Sequence, residues 1–245
     1  HLLAVADGMG GYQRGEVAAK MAIDTLREMF AEDPGADPAL LLKQAFRRAN
    51  EKIYENGLGT GQDAMMGTTL VAVVTHGKYV TIASIGDSRA YLARANRLTQ
   101  ITKDHTIVAE QVARGSMTEQ EARESPHRNV LTHALGHRPK VESKLPDIFE
   151  ITLLPEDRLL LCSDGLYDVV PDDEMLRALT EGAPEDAAQR LVDLAVSRNA
   201  SDNVSAIVLA ALPTREKPAV LETAGTGRTS FLLPAIAAVI LILIL

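Results

Sequence analysis

The stretch TTLVAVVTHGKYVTIASIGDSRAYLAR, residues 68–94, decides the fold. Three runs that read as short strands, 68–75, 79–85 and 89–94, the first two rich in β-branched residues, are interrupted only by turns at His76-Gly77 and Gly86-Asp87. Connections this short leave no room for crossover helices, so the strands pair as antiparallel neighbours. Upstream, Val17, Met21, Ala22, Leu26, Met29 and Phe30 recur at helical spacing. Leu42, Ala45, Phe46, Ala49 and Ile53 do the same behind an Asp37-Pro38 start signal. Both patterns are amphipathic and predict helices lying on a flat partner.

Further out, residues 2–6 form a short apolar strand that stops at Asp7-Gly8-Met9-Gly10-Gly11. Residues 103–140 are polar and His-rich, with a capping signal at Thr118-Glu119-Gln120-Glu121, and read as short helices and loop rather than core. Strands are predicted at 149–153, 159–162 and 204–211, with helices at about 171–181 and 184–197 between the last two. Helices, then strands, then helices imply a layered α+β domain.

Composition narrows the function. With 245 residues, 46% of them hydrophobic, the chain can bury one substantial core or two small ones. A net charge of -8 without a cluster of Lys and Arg excludes a nucleic-acid footprint. Such a charge also repels phosphorylated substrates unless bound cations reverse its sign locally. The single cysteine, Cys162, can form no internal disulfide and sits in an apolar run, so it is expected to be a buried small hydrophobe.

The chain opens on His1-Leu2-Leu3 with no signal peptide, and both ends are read as cut from a longer chain. Residues 213–230 read as a polar, Pro- and Gly-containing linker. Residues 231–245 carry no charge and are expected to begin a membrane-spanning helix. Arg215, Lys217 and Arg228 just before the run place the preceding domain in the cytoplasm, making a single-pass cell-membrane protein.

Four aspartates stand at the ends of apolar strands: Asp7, Asp87, Asp164 and Asp202. A carboxylate at the mouth of a packed sheet is costly unless a cation pairs with it. The glycines beside three of them, Gly8, Gly86 and Gly165, let carbonyls or phosphate oxygens come close. Carboxylates without His or Cys companions suit hard ions such as Mg²⁺ or Mn²⁺. Each Asp-Gly pair alone is equally a tight turn; four acidic strand ends in one domain point to a metal site. Arg14 and Arg89 could steer phosphate, although Arg at such positions is more often a solvated surface residue. His105, His127, His133 and His137 read as surface histidines, since no two stand four apart near a carboxylate.

Five motifs occur in order: Val5-Ala6-Asp7-Gly8-Met9-Gly10-Gly11, Gly67-Thr68-Thr69-Leu70, Ile85-Gly86-Asp87-Ser88-Arg89-Ala90-Tyr91, Leu161-Cys162-Ser163-Asp164-Gly165-Leu166 and Ser201-Asp202-Asn203-Val204-Ser205. Together they resemble the signature motifs of the PPM (type 2C) metal-dependent serine/threonine protein phosphatases in their bacterial form, over residues 1–212. The resemblance implies a four-layer αββα fold: a β-sandwich of two antiparallel sheets flanked by helices. It implies two catalytic Mn²⁺ or Mg²⁺ ions, with Asp7 bridging them, the Gly8 carbonyl helping the second, and Asp164 and Asp202 holding the first. Asp7, Asp164 and Asp202 would then carry catalysis through a metal-bridged hydroxide. Asp87 with Asp164 would serve a third, weaker ion.

Residues 104–140 would be a mobile flap, with Arg128 and His133 as its substrate contacts. Implied partners are phosphorylated proteins, including a Ser/Thr kinase and its substrates. Two other readings are a phosphatase of an anti-sigma-factor antagonist and a catalytically weak relative that binds phosphoproteins. The chain departs from the pattern at Met9 and Tyr12, where relatives carry a His, and at His133, where they carry Arg. The resemblance also implies an upstream strand bearing a phosphate-binding Arg and an Asn-Glu-Asp motif, which this sequence does not contain.

Overall fold

The computed structural model describes residues 1–10, 12–58, 66–211 and 236–242, with backbone alone for 12, 13 and 236–242. In chain order the elements are β1 (Leu2–Val5), β2 (Gly8–Met9), α1 (Tyr12–Glu32), α2 (Pro38–Leu58), β3 (Gly67–Thr68), β4 (Leu70–His76), β5 (Tyr79–Ile85) and β6 (Arg89–Arg94). There follow β7 (Arg97–Gln100), α3 (Ile107–Ala113), α4 (Glu119–Glu124), β8 (Asp147–Thr152), β9 (Arg158–Cys162), α5 (Asp164–Tyr167), α6 (Asp172–Thr180), α7 (Ala187–Ser197), β10 (Ser205–Ala211) and β11 (Ile236–Ile242).

One large sheet has the order β1-β4-β5-β8 and the other β11-β10-β9-β6-β7, while β2 and β3 form a separate two-stranded pair, with neighbours antiparallel throughout. Each sheet is covered on both faces, and the period-2 alternation of its strands sorts side chains between two cores. In β4, Val71 and Val73 point between the sheets while Leu70 and Ala72 meet α1 and α2. In β9, Leu159 and Leu161 point between the sheets while Leu160 and Cys162 meet α6 and α7. The result is the expected αββα stack. Fully buried side chains such as Phe46, Leu42 and Leu160 each contribute about 1.5–3 kcal/mol by leaving water.

The second helix is capped as its start signal requires, the Leu40 N–H donating to Asp37 Oδ1 at 2.8 Å. Its predicted face, Leu42, Ala45, Phe46, Ala49 and Ile53, is buried. The α1 face is turned slightly from expectation. Ala18, Ala22, Thr25 and Leu26 are buried, whereas Val17 is 44% exposed. Strand β7 escaped the sequence reading because Arg97-Leu98-Thr99-Gln100 is polar and hardly alternates. A two-residue turn with both φ positive, Ala95 at 50° and Asn96 at 59°, folds it back on β6.

Two expectations need correction. Residues 104–140 are not free of core: Val108, Ala134 and Leu135 are buried, and Leu135 bridges Thr68 through N–H···O bonds of 2.9 and 3.1 Å. The Asn50 carboxamide holds the exit of the segment, accepting from Gly136 N–H at 2.8 Å and donating to the Arg138 carbonyl at 3.0 Å. The expected helix at 231–245 is replaced over Ile236–Ile242 by β11, paired with β10 from Ser205↔Ile242 to Ala211↔Ile236. An uncharged aliphatic run has no helical or strand period of its own, so an open strand edge can recruit it. Among the described residues no helix is long and apolar enough to cross a membrane. The expected linker, 213–230, lies outside the described residues.

Candidate metal centre

The backbone of Asp7, just after β1, is fixed by the two threonines that begin the next part of the sheet. Its N–H donates to Thr69 Oγ1 at 3.0 Å, and its carbonyl accepts from Thr69 N–H at 2.8 Å and from Thr68 Oγ1 at 2.9 Å. Thr69 Oγ1 also shares a 2.7 Å hydrogen bond with Ser88 Oγ, linking the Asp7 corner to the β5–β6 turn that carries Asp87. Gly8 lies against Gly15 of α1 so closely that a Cβ on Gly8 would stand 2.0 Å from the Gly15 carbonyl oxygen. The start of α1 therefore seats directly on the Asp7-Gly8 corner.

Asp164 is the first residue of the four-residue helix α5. A Cβ on the next residue, Gly165, would come within 2.3 Å of the Asn203 carbonyl oxygen, so only glycine lets α5 pack on the Asp202-Asn203 loop. Ser163 ties the same loop from the other side, its hydroxyl donating to the Asn203 carbonyl at 3.2 Å and accepting the Ser205 N–H at 3.1 Å. Asp202 Oδ1 accepts the Asn203 N–H at 2.7 Å, and the residue is exposed at the rim.

The four carboxylates are drawn to one end of the sandwich, where they act on one another. Burial, then the charge of Asp164, its hydrogen bond, and the charges of Asp202 and Asp87 push Asp7 up to about 8. Asp87, 7% exposed, is pushed to about 7 by burial first and then by Asp164 and Asp104. Burial also raises Asp164. Asp164 Oδ1 is buried without a hydrogen-bond partner. Among the described residues no group of three or more His, Cys, Asp or Glu side chains lies close enough together to hold a metal ion as it stands. A buried, orphaned carboxylate oxygen beside other carboxylates whose protonation burial favours, in an all-oxygen donor set, fits a divalent hard cation better than any other occupant.

The other predicted contacts fall differently. Arg89 is neither a phosphate guide nor a surface residue: it forks onto Asp104 with bonds of 2.6, 3.0 and 3.1 Å and is held well above the usual arginine range beside Tyr91 and Asp104. Arg14 is half-buried in α1. Tyr12 begins α1, but its side chain lies outside the described part. His127 and His137 are exposed as expected, whereas His105 and His133 are largely buried, edge to face with ring centroids 5.5 Å apart. His105 Nδ1 accepts the Gly86 N–H at 3.0 Å, and His133 Nε2 lies 3.1 Å from Glu142. His133 thus braces the flap from within. Arg128 is exposed at the flap edge, 3.5 Å from Asp168.

Sequence reasoning singled out no supporting role for Thr68, Thr69, Ser88, Ser163 or Tyr167. The first four lie within the quoted motifs, so the motif neighbours of each Asp were the available signal; Tyr167 lies just past the end of one.

The sequence matches the family described as "Protein phosphatase 2C" over residues 1–204. It is 41% identical over 208 residues to the serine/threonine protein phosphatase PstP of Mycobacterium tuberculosis, covering 84% of this chain and 40% of that protein. The chain therefore spans about two fifths of that relative's length. The crystal structure of serine/threonine phosphatase Stp1 from Staphylococcus aureus superposes with a TM-score of 0.80 at 38% identity, covering 86% of this chain and 84% of that one. The catalytic domain of PstP in complex with two manganese ions gives 0.73 at 39% identity, covering 84% and 85%. Motif order, layered sheets and the gathered carboxylates thus agree with the match along most of the sequence, and the chain belongs to the protein phosphatase 2C family.

Proposed function

We propose that this chain is the catalytic domain of a metal-dependent phosphoprotein phosphatase acting on phosphoserine and phosphothreonine. Asp7, the Gly8 carbonyl, Asp164 and Asp202 would hold two Mn²⁺ or Mg²⁺ ions, and Asp87 with Asp164 a third, weaker one. The observation that carries the reading is the half-buried Asp7 and Asp164, both pushed up by burial and Asp7 also by the charge of Asp164, beside an unpartnered, buried Asp164 oxygen. When bound, such ions supply an activated water and neutralise the phosphoryl oxygens.

The protein's share is positioning. The Thr68–Thr69 clamp on Asp7 and the Gly165–Asn203 contact fix the ligands before substrate arrives, so little reorganisation is left for the reaction. Among the described residues neither Cys162 nor Ser88 is a good nucleophile. Cys162 is fully buried with its thiol pushed up to about 12, and the Ser88 hydroxyl is buried against Thr69. Hydrolysis by water is what such a site supports.

On the flap, Arg128 can exchange its long contact with Asp168 for a substrate phosphopeptide, while His133 holds the segment in shape. The partners of this reading are phosphoproteins, among them a Ser/Thr kinase and its substrates. Attachment to a membrane rests on sequence alone, on uncharged residues 231–245 behind Arg215, Lys217 and Arg228, and requires Ile236–Ile242 to leave its pairing with β10. Recovery of the full-length protein in the membrane fraction would support it; recovery in the soluble fraction without detergent would refute it.

The decisive experiment is hydrolysis of a phosphothreonine peptide with Mn²⁺ and with chelator. Activity should require the metal, and Asp164→Asn should lose more than about a hundredfold in kcat with weaker Mn²⁺ binding by calorimetry. Near-normal turnover of that variant would remove the metal assignment.

A further inference from the structure

Tyr167 has no part in the chemistry above, yet it joins two of its ligands. It is the last residue of α5, whose first is Asp164. Its phenol donates a 2.9 Å hydrogen bond to the main-chain carbonyl of Asp87, 80 residues away in sequence. The Asp87 carboxylate itself is buried, so its direction is set by its backbone. One turn of helix and one hydrogen bond therefore span the gap between Asp164 and Asp87.

The ring of Tyr167 is in turn clamped. The Arg89 guanidinium carbon lies 3.5 Å from its centroid, a stacked cation–π contact. Arg89 cannot swing away, because Asp104 accepts its fork, and its Nη1 donates to Tyr91 Oη at 2.7 Å. Gln100 Nε2 donates to Asp104 Oδ1 at 2.8 Å and steadies the carboxylate behind Arg89. A tyrosine serving only to fill space would need neither a half-buried, forked arginine over its face nor a carbonyl at its tip. The geometry defines a chain, Asp104 to Arg89 to Tyr167 to Asp87, that ends on a proposed metal ligand.

We propose that Tyr167 is a positioning residue that fixes Asp87 relative to Asp164, and so sets the affinity for the peripheral divalent cation, with Arg89 holding its ring in place. This rests on the reading of Asp87 as a ligand of that cation. Partners that orient a ligand from outside are commonly worth ten- to a hundredfold in metal affinity. A single neutral hydrogen bond accounts for about fivefold of that.

The test is Mn²⁺ titration calorimetry on the full chain, with melting temperatures and the half-activating Mn²⁺ concentration. Tyr167→Phe keeps the stacked ring and removes only the donor. It should weaken the weakest Mn²⁺ step by about fivefold, leave the tighter steps unchanged, lower the melting temperature by no more than the few degrees that one hydrogen bond accounts for, and raise the half-activating concentration by the same factor. Arg89→Lys loses both fork and stack and should weaken the same step by at least about tenfold. Asp87→Ala should abolish it.

Should Asp87→Ala leave every Mn²⁺ step intact, Asp87 is no ligand, and the site reading fails together with the proposal. If Asp87→Ala removes the weak step while Tyr167→Phe and Arg89→Lys bind Mn²⁺ like wild type, the positioning role alone is overturned. A lower melting temperature with an unchanged isotherm would likewise reduce Tyr167 to packing.

Discussion

A single methyl group would break the contact between Gly165 and the Asn203 carbonyl, and with it the approach of Asp164 to Asp202. Gly165→Ala should cost about 1–3 kcal/mol of stability, as overpacking does, and weaken Mn²⁺ binding beyond what lost stability explains. Denaturant melts and calorimetry separate the two effects; unchanged Mn²⁺ affinity would show that the loop adapts. This residue illustrates what the sequence could and could not reveal about the site. The aspartates were legible because a charge at the end of an apolar strand is anomalous wherever it occurs. Their supports were not, because Thr69, Ser163 and Tyr167 are ordinary residues whose roles depend on partners 40 to 80 positions away. Arg89 was misread for the same reason: nothing local announces that Asp104 takes its fork.

Elements whose partners are near in sequence, or whose pattern is strong, were legible. Strands β4, β5 and β6 and helix α2 follow directly from turn spacing and periodicity, and the capping box at Thr118 forms as its signal predicts, with Glu121 returning a 2.8 Å bond to the cap N–H. Patterns without a period failed, as β7 and the strand at Ile236–Ile242 show. The flap fell between these cases, for its polar surface hides Leu135, which is anchored on Thr68, and His133, which is anchored on Glu142. His133→Ala should loosen the flap while leaving the aspartates in place. The expected outcome is a kcat/KM several-fold lower on phosphopeptides, with p-nitrophenyl phosphate turnover less affected, since a loop that selects substrates acts on large ones. Equal losses on both would mean that the variant disturbs the site as a whole.

At the scale of the whole molecule, the gathered carboxylates make stability depend on pH and metal together. Without metal, the fold holds Asp7 at about 8 and Asp87 at about 7, whereas in the unfolded chain both return to about 3.8. Between these values the folded state binds more protons than the unfolded one, so unfolding free energy falls as pH rises. His105 works the other way. Burial lowers it from 6.5, so its contribution increases with pH and is complete once the unfolded imidazole has lost its proton. The window from about 6.5 to about 8 therefore isolates the carboxylates, and there the melting temperature of the metal-free protein should decline with pH. A bound divalent cation replaces the protons as counter-charge, so Mn²⁺ should stabilise more strongly at the upper end of the window than at the lower. Asp7→Asn, neutral at every pH, should flatten the metal-free decline. Thermal melts with and without Mn²⁺ across this range check all three outcomes. A metal-free melting temperature that stays level or climbs from about 6.5 to about 8 would show that Asp7 and Asp87 are already ionised in the fold, and that the carboxylates tolerate one another without a cation.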